Sequence, residues 1–75
     1  MRVDPNPGIG RVLRAHREAK GISREELAHQ AGVSFWTVIK IETGDRGIGT
    51  KVLGKVGKIL GKDFEHEMLG VLSAD

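Results

Sequence analysis

The sequence predicts an all-α fold, a compact five-helix bundle, on three observations. Apolar residues recur at helical rather than strand spacing. Ser, Thr, Asn or Asp stands just before each such run, where a side-chain oxygen can accept from an orphan amide. Glycines follow several of the runs as stops. At 75 residues the chain has room for one small domain and a single core, near the lower end of what folds without staples. A single domain over 1–75 is expected, with its core over residues 7–72.

In the first helix Asn6 can act as the cap, with Pro7 at the first helical position, and Ile9, Val12, Leu13 and Ala19 form an apolar stripe until Gly21 ends it. Arg11, Arg14 and Arg17 lie between these. A second helix starts at Ser23, whose hydroxyl can accept from the Glu26 amide while the Glu26 carboxylate reaches back to the Ser23 amide. Ile22 can staple onto Leu27. Leu27, Ala28 and Ala31 give the small inward face that a close helix crossing needs, and Arg24, Glu25, His29 and Gln30 face solvent or a ligand.

Gly32 breaks that helix, and the chain turns from Ala31 to Ser34. Ser34 repeats the capping device, with Val33 placed to staple onto Val38. The third helix buries Val38 and Ile41, leaves Trp36, Ile39, Lys40 and Thr43 pointing elsewhere, and stops at Gly44. Two helix starts, a three-residue turn and a glycine stop within residues 23–44 are the layout of a helix-turn-helix, whose second helix, of roughly nine residues, suits a DNA major groove.

After the loop GDRGIG, Thr50 can cap a fourth helix whose Val52, Leu53, Val56, Ile59 and Leu60 face inward. Gly54 and Gly57 weaken it by about 1 kcal/mol each relative to alanine, so packing must hold it. Asp63 can cap a short fifth helix with Phe64, Met68, Leu69 and Leu72 on its apolar side.

The net charge of +2 is modest, but its distribution is uneven. Arg46, Lys51, Lys55, Lys58 and Lys62 follow one another with no acidic residue between them, whereas Asp63, Glu65, Glu67 and Asp75 occupy a tail without Lys or Arg. One stretch is suited to phosphate and the other is not. Without cysteine there is neither a disulfide framework nor a thiolate metal site, which fits a reducing, cytoplasmic compartment. No apolar run approaches the roughly 18 residues that span a membrane.

The segment REAKGISREELAHQAGVS, followed by IETG, resembles the phage-repressor-like helix-turn-helix family, the lambda-repressor-like, Cro/XRE-type group of five-helix bundles. The resemblance runs from Ile9 to Leu69, and LGKVGKILGKDF looks like the fourth helix of that family and the entry to its fifth. It implies a bacterial or phage transcriptional regulator, a repressor binding a palindromic operator on double-stranded DNA as a homodimer, associated with the nucleoid. Half-sites would then lie about one turn, roughly 34 Å, apart.

The resemblance also implies roles. Arg17 and Glu42 would form a structural ion pair between the first helix and the end of the third. Arg24 stands where the family usually carries a phosphate-contacting glutamine, and arginine keeps that contact while adding charge. Bases would be read by Ser34, Phe35, Trp36, Thr37 and Lys40. Here the chain departs from the pattern, since relatives often place hydrogen-bonding side chains at the positions of Phe35 and Trp36, and aromatic rings cannot make those bonds.

Three placements are open for this pair: apolar contact with thymine methyls or sugars; Phe35 folded into the core beside Val38 with only Trp36 exposed; or an exposed Phe35, Trp36 and Ile39 patch that docks a protein. The last would make the chain an interaction module, antitoxin-like or an adaptor. Arg46, Lys51 and Lys55 look like further phosphate contacts. Lys58 and Lys62 read as the solvent face of the same helix. Met68, Leu69, Val71 and Leu72 supply more apolar side chain than a short final helix needs for its own core, which points to a dimer contact.

His16, His29 and His66 fall on three helices at no metal-ligand spacing, so no metal is expected. The two GxG stretches, at Gly8–Gly10 and Gly47–Gly49, follow no strand and carry no nucleotide-loop reading. No enzyme, cofactor or small-molecule ligand is expected.

Overall fold

The computed structural model describes residues 7–73. In chain order the helices are α1 Pro7–Ala19, α2 Arg24–Ala31, α3 Phe35–Thr43, α4 Thr50–Leu60 and α5 Lys62–Ser73, with no strand among the described residues. The expected Asn6 cap lies outside them.

Each helix end follows from a local device. Ser23 Oγ accepts from the Glu26 amide at 3.0 Å. The return half of the expected exchange is replaced, because Glu26 Oε2 accepts from Gln30 Nε2 at 3.0 Å, one turn further along α2. Ser34 Oγ accepts from the Trp36 amide at 3.1 Å and so starts α3. Between them Gly32 adopts φ 70°, the left-handed region where a side chain is strained, and the Val33 amide donates back to the Ala28 carbonyl at 3.0 Å. The turn is therefore a hydrogen-bonded C-cap running into an N-cap, which fixes the angle between α2 and α3.

Two starts differ from expectation, α4 by one residue and α5 by two. Gly49, not Thr50, occupies the cap of α4, so no side chain satisfies the first-turn amides. Asp63 lies inside the first turn of α5, where its carboxylate still opposes the positive end of the helix dipole. The shift of α5 follows from Gly61, whose amide donates to the Gly57 carbonyl at 2.8 Å to end α4 and whose carbonyl accepts from the Glu65 amide at 3.2 Å to begin α5.

The helices pack as α1 on α3 and α5, α2 on α3 and α4, and α4 on α5. Phe64, Leu13, Leu27, Ile41, Met68, Val38 and Val56 are fully buried at the centre. Ile9, Val12, Ala28, Ala31 and Leu60 extend this core, with Val52, Leu53 and Ile59 half-buried against it. Ala19, expected on the stripe of α1, is exposed in its last turn. Ile48 is buried from the loop before α4 and anchors it, a contribution that helical periodicity could not reveal.

The crossing of α1 and α3 is unusually close. A methyl group built on Gly10 would stand 2.7 Å from the Ile41 carbonyl oxygen and 2.8 Å from that of Glu42, so only glycine fits there.

Candidate nucleic-acid interface

The crossing brings Arg17 of α1 against Glu42 of α3. Arg17 Nε donates to Glu42 Oε2 at 2.7 Å and its Nη2 to Oε1 at 3.2 Å, while Nη1 donates to the Ile22 carbonyl at 2.8 Å. Hydrogen bonding to Glu42 raises the Arg17 pKa above its ordinary value, against the opposing effect of burial, so the guanidinium stays charged.

Glu42 is fully buried at its side chain, and Oε1 also accepts from Arg24 Nε at 3.0 Å. One carboxylate thus joins α1, the start of α2 and the end of α3. The Arg24 side chain stays 37% exposed, and beyond its Nε no partner for it occurs among the described residues. Glu18 pairs with Arg14 Nε at 3.1 Å and approaches Arg17 Nη2 at 4.0 Å, so the charges at this corner are nearly balanced. Arg14, Arg17, Ser23, Arg24, Glu25 and Phe35 line an open surface depression of about 440 Å³ beside it.

The outer face of α3 opposes the buried Val38 and Ile41. Trp36 is 64% exposed and Phe35 36% exposed, and their rings meet edge to face with centroids 5.6 Å apart. Phe35 therefore does not fold into the core beside Val38. It opens the helix, where the Ser34 cap turns the chain outward. Lys40 is exposed one turn beyond Trp36, while Thr37 and Ile39 are half-buried at the sides.

The far end of α3 is held through two carbonyls, that of Ile41 accepting from the Gly44 amide at 3.2 Å. Lys40 O accepts from the amides of Asp45 at 2.8 Å and Arg46 at 3.3 Å, and from Thr43 Oγ1 at 3.3 Å. Gly44, at φ 86°, is what lets the chain fold back this way. Arg46 is exposed at the start of that loop, and Lys51, Lys55, Lys58 and Lys62 are exposed after it. Among the described residues no ion pair engages any of these four lysines, Lys40 or Arg46.

A family model for helix-turn-helix domains matches residues 13–66, from the middle of α1 into α5. The chain belongs to the Cro/XRE-type helix-turn-helix family. This is a family of DNA-binding regulators. The chain is also similar to an uncharacterized HTH-type transcriptional regulator of Methanothermobacter thermautotrophicus, at 28% identity over 57 residues, which cover 76% of this chain and 83% of that protein.

In this helix-turn-helix, α2 and α3 are the paired helices and α3 the outward one. The structure brings Ser34, Phe35, Trp36 and Lys40 to the exposed surface of α3 but only half exposes Thr37. Met68 is fully buried beneath α5, which removes it from the expected dimer contact and leaves Leu69 at 53% and Leu72 at 42% exposure, with Val71 half-buried. The reason is register: Phe64, Met68 and Val71 share the inward stripe, and Leu69 and Leu72 lie to one side of it.

Two contacts escaped sequence reasoning. Arg24 to Glu42 is one; its only signal was the unfavourable placement of a cation in a first turn, which a nearby carboxylate explains. The other joins His16 Nε2 to Glu67 Oε1 at 2.8 Å, with the imidazole edge-on to Phe64, tying α1 to α5. Among the described residues no group of His, Asp or Glu is placed to hold a metal, and no helix is long and apolar enough to cross a membrane.

Proposed function

We propose that the protein is a sequence-specific, double-stranded-DNA-binding transcriptional regulator. It acts as a repressor on a palindromic operator, binding as a homodimer with α3 in the major groove. The observation that carries this reading is the outer face of α3: a helix clamped at both ends presents Trp36 and Lys40 to solvent, with cations from Arg46 onward that form no ion pair among the described residues.

Lys40, one turn into α3, would donate to guanine O6 or N7. Ser34 accepts from a backbone amide, so its own hydroxyl hydrogen remains available to a base or phosphate, and Thr37 contributes from the side of the helix. Arg24, Arg46, Lys51 and Lys55 would neutralise phosphates, supported at α4 by first-turn amides with no side-chain cap. Such a small domain covers limited DNA, so two copies would be needed for useful specificity, meeting through Leu69, Leu72 and the edge of Val71. A protein with this role would work in the cytoplasm, at the nucleoid.

In vitro selection from random duplex DNA tests the reading. A recovered site with two-fold symmetry and half-sites one helical turn apart supports it, and failure to enrich any duplex contradicts it. The exposed Phe35 and Trp36 pair favours one other reading, an interaction module that docks a protein on α3, for which selection would return no DNA site.

A further inference from the structure

The first turn of α3 carries two aromatic rings where a base-reading helix ordinarily needs hydrogen-bonding groups. The rings are not independent: Phe35 and Trp36 stand edge to face, 5.6 Å between centroids and 62° between planes. Each restricts the other, and Ser34 fixes the backbone beneath them. They form a single apolar ridge at the N-terminal end of the helix, flanked by Arg24 in the adjoining depression and by Lys40 one turn along.

In the major groove, guanine, adenine and cytosine offer nitrogen and oxygen edges, and thymine adds a methyl group at C5. A ring pressed against a polar edge strips its water and returns no hydrogen bond, which is costly. Pressed against a methyl it removes apolar surface from water. Lys40, exposed and in no ion pair among the described residues, suits a polyanion and not an apolar protein surface, although Glu25 shares the depression with Arg24.

We infer that the Phe35–Trp36 ridge reads a pyrimidine 5-methyl group in the major groove, that of thymine or of 5-methylcytosine, with Lys40 reading an acceptor edge one turn further along α3. This rests on the DNA-binding reading above. It makes Phe35 and Trp36 specificity-determining residues that discriminate without a hydrogen bond.

Deoxyuridine substitution tests the inference, because uracil pairs as thymine does and lacks only the methyl. Each thymine of a duplex recovered by selection is replaced in turn, and affinity is measured for the unaltered protein, Trp36→Ala and Phe35→Ala. One position per half-site should weaken about four-fold, the worth of one buried carbon group. That difference should disappear in Trp36→Ala, whose exposed side chain can be removed with the fold intact, as thermal unfolding would verify. At the same position, a gain for 5-methylcytosine over cytosine assigns the contact to the methyl of either base, and a gain for thymine over uracil alone assigns it to thymine. Binding that is indifferent to every thymine-to-uracil change, or a difference that persists in both alanine variants, overturns the inference and leaves the DNA-binding reading standing. Failure of any duplex to bind overturns both and returns the ridge to a protein partner.

Discussion

Arg17 Nε lies 2.7 Å from Glu42 Oε2, and this contact ties the first helix to the end of the third across the Gly10 crossing. Because Arg24 shares the same carboxylate from a more exposed position, the two arginines should differ in weight. Arg17→Ala removes the buried partner of the fully buried Glu42 carboxylate and should cost about 3–5 kcal/mol. Arg24→Ala removes a partly solvated partner and should cost less than about 1 kcal/mol. Urea unfolding measures both, and equal losses would show that Arg24 is as structural as Arg17.

Two glycines should respond in opposite directions to alanine. At Gly10 the new methyl meets backbone oxygens of α3 that cannot swing away, so overpacking of about 1–3 kcal/mol should outweigh the gain in helix propensity. At Gly54 a methyl meets nothing within 4 Å, so the same substitution should stabilise by about 0.5–1 kcal/mol. Thermal melts of the two variants, one below and one above the parent, check the pair.

The contrast between these glycines shows what a linear reading can reach. Both stand inside helices and look alike in sequence; only the crossing of α1 over α3 separates them. Capping and glycine stops are local, so the starts of α2 and α3 and the ends at Gly32 and Gly44 were legible directly. The start of α5 was offset because Gly61 both ends α4 and begins α5, and that of α4 because Gly49 takes the cap without any side-chain bond to mark it. For the candidate site, periodicity placed Trp36 and Lys40 outside but left Phe35 open, since a residue opening a helix can face either way. The Arg24 contact with Glu42 spans 18 positions, and the place of Met68 depends on what α5 packs against; neither is written in spacing.

Arg24 and Lys40 should separate phosphate contact from base reading. Arg24→Ala should weaken binding to all duplexes by about the same factor, because phosphates carry no sequence information. Lys40→Ala should relax preference at one base position per half-site, worth about 1–3 kcal/mol. Competition assays against single-base variants of the selected site distinguish the two patterns.

The α5 surface should govern self-association. Leu69 and Leu72 are exposed, so Leu69→Asp should leave the monomer folded while shifting a micromolar sample from dimer to monomer mass in sedimentation. An unchanged mass with the fold intact would place the dimer contact elsewhere or remove it.

A grip on DNA through the cationic rim and α3 of this helix-turn-helix shows itself in the salt dependence of binding to a selected duplex. Log affinity should fall linearly with log salt, with a slope of about −0.9 for each phosphate neutralised. Arg24→Ala, Lys40→Ala and Lys51→Ala combined should flatten that slope and abolish specific binding. Affinity that ignores salt, or that survives the triple substitution, would contradict such a grip.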